Sequence, residues 1–157
     1  MQKLINQIHR QLTKQGKTIA IAESCTGGLL SSMLTSLGGS SKFFILGAIT
    51  YSNKAKTRIL KIPSTLIKEK GAVSRAVAIK MSRQIRKIAG SDLAISITGI
   101  AGPSGGSKLK PVGTVFISID SMEKNLCEKF RFNGSRTIIR KKSALKALEL
   151  LKKNLAG

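Results

Sequence analysis

Two short apolar runs, Thr18-Ile19-Ala20-Ile21-Ala22 and Leu93-Ala94-Ile95-Ser96-Ile97, constrain the fold of this chain more than any other feature. Runs of this length without polar alternation fit strands covered on both faces, as in a sheet layered between helices. Around them the pattern supplies the covering helices. Leu4, Ile5, Ile8 and Leu12 give residues 3–15 an amphipathic helical spacing that Gly16 ends. Leu29, Leu30, Met33 and Leu34 predict a helix running toward Gly38-Gly39, and Phe43–Ile49 reads as a further strand. Short helices are expected near 54–60 and from Pro63-Ser64, and a longer one over 75–89 with Ser74 as its cap. In that longer helix Val77, Ala78, Met81 and Ile85 share a face. Val112–Ile119 and Leu126–Phe132 predict a strand pair with a turn near 121–125. A last helix over 135–155 is expected to bury Ile138, Leu145, Leu148 and Leu151. With no repeat and no long linker, this order predicts an α/β fold: a three-layer α/β/α sandwich around a mixed sheet, one domain over residues 1–157.

Each apolar run ends in an unusual loop, Glu23 to Gly28 after the first and Thr98 to Gly106 after the second. Ligand sites in α/β proteins gather at the carboxyl ends of strands, so the two loops are expected to face one crevice. Ser24 stands where a nucleophile would, at the entry to a helix. The amides near Cys25, Thr26 and Gly27 could there hold an anion or a developing oxyanion. The same spacing serves a structural purpose equally well, with Ser24 and Thr26 capping the helix. The loop is too short for a Walker phosphate loop and lacks its Gly-Lys-Ser/Thr end.

Composition narrows the chemistry. The chain has one histidine, His9, in the polar N-terminal helix, and only seven acidic residues, mostly after residue 91. A histidine triad, a paired-carboxylate site and a histidine-rich metal site are each hard to assemble from that stock. A nucleophile here needs another base, and lysine is in surplus. Two cysteines without metal-ligand spacing, no apolar run long enough for a membrane span and no signal peptide point to the cytoplasm, with no membrane partner and no metal or cofactor. The net charge of +21 is concentrated in residues 51–90, on what read as exposed helix faces (Lys68, Lys70, Arg75, Lys80, Arg83, Arg86, Lys87). With one tyrosine, five phenylalanines and no tryptophan, a base-stacking platform is not expected, and nucleic acid is not the expected partner.

A series of motifs carries a resemblance. Ala22-Glu23-Ser24-Cys25-Thr26-Gly27-Gly28 is similar to the opening motif of the CinA C-terminal domain family, the nicotinamide-nucleotide amidases. The resemblance continues through Gly39-Ser40-Ser41, Thr50-Tyr51-Ser52-Asn53 with Lys56, and Gly71-Ala72-Val73-Ser74. It then takes in Ser96-Ile97-Thr98-Gly99-Ile100-Ala101-Gly102-Pro103, Lys110-Pro111-Val112-Gly113-Thr114-Val115 and Phe132-Asn133-Gly134-Ser135-Arg136 with Arg140. It covers nearly the whole chain in order, and corresponds to the amidase half of larger fused proteins.

The resemblance implies hydrolysis of nicotinamide mononucleotide to nicotinate mononucleotide and ammonia, in pyridine-nucleotide salvage, by a Ser/Lys dyad. It makes Ser24 the nucleophile, Lys56 the base and Tyr51 a group that orients or relays the proton. Thr98 and Gly99 would line the pocket, Ser41 and Asn53 could touch the ligand, and Arg136 would anchor the substrate phosphate, with Arg140 a weaker candidate. The implied partner is a small nucleotide substrate, and the implied assembly a homo-oligomer, a dimer. A lysine base must be neutral, and burial with repulsion from Lys54 and Arg58 is the expected means. Lys54, Ser104 and Lys108 depart from the family, where acidic residues are often found (acidic or small at 54). The competing reading is a non-catalytic nucleotide- or nucleic-acid-binding module of the same fold.

Overall fold

In the computed structural model, which describes residues 1–156, alternation along the apolar runs builds the layers. In β1 (Ile19–Glu23) Ile19 and Ile21 join the core on one face of the sheet, while Ala20 and Ala22 face the other, all fully buried. In β3 (Leu93–Gly99) Leu93, Ile95 and Ile97 repeat the bulky side and Ala94 the small one. The bulky face packs against α1 (Gln2–Gln15), α2 (Leu29–Leu34) and α6 (Arg136–Ala156) through Ile8, Leu12, Leu30, Leu148 and Leu151. The alanine face is covered by α3 (Asn53–Leu60), α4 (Ser64–Lys70) and α5 (Arg75–Ala89). Small residues there let α5 approach closely enough for the Ser96 hydroxyl to donate to the Ala78 carbonyl at 2.6 Å. This is the expected three-layer arrangement.

The sheet is mixed, in the order β2-β1-β3-β4-β5, with β2 (Phe44–Ile49), β4 (Thr114–Ser121) and β5 (Asn125–Arg131) completing it. β2, β1 and β3 run parallel, so Glu23, Ile49 and Ile97 fall at the same end. β4 and β5 form the expected antiparallel pair.

Three details depart from the sequence reading. α2 stops at Leu34, short of Gly38, because Thr35 and Ser36 turn their hydroxyls back onto the Ser31 and Met33 carbonyls at 2.8 Å each. In α6 Leu148 and Leu151 are buried as expected, while the other two expected positions are not. Ile139, not Ile138, enters the core, Ile138 is 45% exposed and Leu145 is only half-buried. Arg86 is not a free surface cation either. Its Nε lies 2.7 Å from the buried Asp120 carboxylate, with Arg83 at 3.6 Å.

Candidate active site

The first apolar run places Ser24 directly after β1, where its amide donates to the Ile97 carbonyl at 3.0 Å and so fixes it against the end of β3. The turn that follows is held by Glu23, a fully buried carboxylate. Its oxygens accept from the Gly28 and Leu30 amides at 3.1 Å each, and from the Ser31 amide and hydroxyl at 2.8 and 2.7 Å. A charged residue closing a buried strand needs such a set of donors, and an unsatisfied helix N-terminus supplies them. Capping of α2 is therefore done by Glu23. The Ser24 side chain is left to face elsewhere.

It faces Lys56. Ser52 caps α3 by accepting from the Ala55 amide at 3.0 Å, and the helix turns Lys56 inward, where it is 1% exposed. Its Nζ lies 3.0 Å from Ser24 Oγ, and donates to the backbone carbonyls of Thr50 at 2.8 Å and Tyr51 at 3.1 Å. The ammonium's three N–H groups can meet these three oxygens, and after loss of one proton two N–H groups can stay on the carbonyls while the lone pair receives the Ser24 O–H. Burial pulls the Lys56 pKa from 10.5 down to about 8, opposed only by the neighbouring Cys25. Lys54 and Arg58, expected from the sequence to add repulsion, make no such contribution. They lie on the outward side of α3 and line a groove toward α4.

The Gly27 amide donates to the Ser24 carbonyl at 3.0 Å, closing the turn with φ +58° at Gly27. Among the described residues, the Cys25 and Thr26 amides have no acceptor on another residue. Cys25 is a buried thiol whose pKa is raised to about 11 by desolvation. Its sulfur packs against Gly99, where a Cβ would stand 3.0 Å from Sγ and 2.7 Å from Val115 Cγ2. Thr98 is the next-to-last residue of β3, and its hydroxyl donates to the Ala72 carbonyl at 2.9 Å, tying this strand end to the segment after α4. Thr98 and Gly99 thus belong to the strand rather than to the loop expected there.

Arg136, at the start of α6, donates to the Gly102 carbonyl and to the Tyr51 hydroxyl at 2.7 Å each. Tyr51 is 55% exposed and meets Lys56 through its backbone carbonyl, while its hydroxyl meets Arg136. Two of the sequence candidates stand apart from the dyad. Ser41 lies on a 3-10 turn (Ser40–Lys42) before β2, and the parallel direction of β1 and β2 sets it at the end of the sheet opposite Ser24. Asn53 begins α3 and lines the outer groove.

The sequence reading passed over Glu23 and gave Arg140 a minor place. Arg140 reaches from α6 to donate to the Thr26 carbonyl at 2.7 Å. Its Nε, the Thr26 hydroxyl and the Thr50 hydroxyl are buried without protein partners. A signal for Glu23 was present, since an acidic residue ends an otherwise apolar strand. For Arg140 the only signal was its place one helical turn beyond Arg136. A cavity of about 700 Å³ opens at the other end of the sheet among Lys17, Asp92, Glu123 and Lys153, and contains none of the residues around Ser24.

Fold and site together define an α/β domain with a buried serine–lysine pair at the carboxyl end of a parallel strand. The chain belongs to the CinA C-terminal domain family, whose model matches residues 1–155. It is 47% identical over 148 residues to a CinA-like protein of Geobacter sulfurreducens, covering 94% of this chain and 36% of that protein. It is 45% identical over 156 residues to one from Thermotoga sp. (strain RQ2), covering 99% and 38%. The chain thus spans little more than a third of the length of these curated relatives. Among solved structures, the competence/damage inducible protein CihA of Agrobacterium tumefaciens superposes with a TM-score of 0.95 at 36% identity, covering 99% and 94% of the two chains. The CinA superfamily protein of Klebsiella pneumoniae 700603 superposes at 0.94 with 32% identity, covering 98% and 96%. No helix among the described residues is long and apolar enough to cross a membrane.

Proposed function

We propose that this chain is a serine amidohydrolase that converts nicotinamide mononucleotide to nicotinate mononucleotide and ammonia. The observation that carries the reading is the buried Lys56 Nζ at 3.0 Å from Ser24 Oγ, beside two amides free for an oxyanion. Neutral Lys56 takes the Ser24 proton as Oγ attacks the carboxamide carbon, and the carbonyl oxygen gathers negative charge opposite the Cys25 and Thr26 amides. The Lys56 ammonium then protonates the leaving nitrogen, which departs as ammonia and leaves an ester on Ser24. Water, deprotonated by the same lysine, cleaves the ester and releases the carboxylate. Arg136 keeps further N–H donors beyond those on Gly102 and Tyr51, and offers an anchor for the substrate phosphate. Tyr51 fixes that guanidinium and, through its carbonyl, the lysine.

The choice of a nicotinamide nucleotide rests on the family resemblance, the amide chemistry on the dyad. Ammonia release from nicotinamide mononucleotide by the purified protein tests both. Activity that disappears in Ser24→Ala and Lys56→Ala supports the reading. Tight nucleotide binding without ammonia release would establish the binding module instead, and turnover of other amides alone would keep the dyad and replace the substrate. The salvage role, a cytoplasmic location and the homodimer belong to the same proposal, and analytical ultracentrifugation checks the last.

A further inference from the structure

On the side of α3 that faces away from Lys56, α3 and α4 enclose a groove of about 370 Å³. Asn53, Lys54, Thr57 and Arg58 line it from α3 and Ser64, Lys68 and the buried Ile67 from α4, with a largely apolar surface and no carboxylate on its walls. None of the three cations has an ion pair or side-chain hydrogen bond among the described residues, where Arg83, Arg86 and Lys146 are ion-paired and Arg75, Lys110, Arg136, Arg140 and Lys142 donate to carbonyls. Their placement opposes local electrostatics. Lys54 and Arg58 are like charges one helical turn apart, and Lys54 stands in the first turn of a helix with no acidic residue there to offset it. Three unpaired cations beside a largely apolar concavity of ligand size suit a small molecule that carries a phosphoryl group next to an apolar body.

From this placement we infer that the α3–α4 groove is a second anion site, separate from the Ser24 cleft, that takes the phosphate or diphosphate group of a small molecule. Arg58 supplies the planar fork, and Lys54 and Lys68 flank it as point charges. The site goes beyond the proposed amidase reaction and stands or falls independently of it.

Calorimetric titration with pyrophosphate and with inorganic phosphate at fixed ionic strength tests it, using two doubly substituted proteins that lose the same charge. Lys54→Gln/Arg58→Gln alters the groove, and Lys3→Gln/Lys14→Gln removes two exposed cations from α1. The inference expects saturable binding that weakens at least about tenfold in the first protein and stays within about twofold in the second. Pyrophosphate binding more tightly than phosphate assigns a diphosphate ligand, and equal binding a monophosphate. Equal weakening in the two doubles would mean diffuse attraction by the net charge of +21 and would overturn the site. Loss in Arg136→Gln with no loss in the groove variant would place the anion in the catalytic cleft and overturn it equally. Melting curves check that each variant is folded. If the groove double is not, Lys68→Gln alone must still weaken binding.

Discussion

Raising the pH from 7 to 9 should increase kcat/KM about tenfold, because Lys56 can accept the Ser24 proton only when neutral. Its side chain is 1% exposed, and burial lowers its pKa to about 8. The neutral fraction then climbs from about a tenth at pH 7 to about nine-tenths at pH 9. The assay is ammonia release at subsaturating substrate, in buffers of constant ionic strength. Cys25, with its pKa raised to about 11, stays a thiol throughout and adds no limb. Stability gives a second, independent reading of the same group. The folded pKa lies below the unfolded one, so at this group the unfolded state binds more protons between pH 8 and 10.5, and the Lys56 contribution to stability rises with pH across that window. The separation from 10.5 to about 8 corresponds to about 3 kcal/mol. Cys25 acts in the other direction, its folded pKa lying above its usual 9.0, and removes stability from pH 9 upward. Because Lys56 and Cys25 act on each other, the effect of Lys56→Met on urea denaturation is measured in a Cys25→Ala background, which isolates the lysine. A flat activity profile from pH 7 to 9, together with a stability difference that does not change with pH, would refute the neutral-lysine mechanism.

Three further substitutions probe the frame around the dyad. Glu23→Gln replaces one acceptor oxygen with a donor facing amide hydrogens, and should cost about 2–4 kcal/mol in urea denaturation, against about 1 for Ser31→Ala. Equal small losses would show that the carboxylate does not hold the turn. Gly99→Ala brings a methyl to 2.7 Å from Val115 and 3.0 Å from Cys25 Sγ, and should cost about 1–3 kcal/mol and lower kcat by displacing the turn beside Ser24. Unchanged kinetics and melting temperature would contradict that packing. Arg140→Ala should lower kcat by about tenfold with KM nearly unchanged, since Arg140 holds the Thr26 carbonyl and not the ligand. A rise in KM alone would make it a substrate contact.

The layers were legible because the two apolar runs could be satisfied only under helices. One histidine and few carboxylates pointed to lysine as the type of base, but among many lysines only the family resemblance singled out Lys56. What escaped the sequence were matters of direction. Ser41 falls in a family motif and close in the chain to β2, but motif order carries no information on which end of a parallel strand a loop occupies. Ile138 and Ile139 are adjacent isoleucines, and spacing alone does not decide which of them faces the core. Tyr51 was placed beside the dyad by its hydroxyl, whereas its backbone carbonyl makes the contact with Lys56 and its hydroxyl belongs to Arg136. A backbone atom carries no side-chain signature, so no motif could have announced it.

The separation of Glu23 from Lys56 explains how a chain of this composition keeps a lysine near neutrality. A carboxylate facing Nζ would hold the proton on, as opposite charges do at short range. Glu23 is the acidic residue next to Ser24 in the chain, yet it has no part in setting the Lys56 pKa. Its oxygens are occupied by the Gly28, Leu30 and Ser31 amides and the Ser31 hydroxyl. Lys56 is met instead by uncharged carbonyls at Thr50 and Tyr51, which fix its position without supplying the negative charge that would stabilise the ammonium. The Thr50 amide donates to the Glu23 carbonyl at 2.8 Å, so the acceptors of Lys56 and the frame of Ser24 are parts of one backbone structure. Ser24 and Lys56 are therefore brought together by the backbone at the ends of β1 and β2.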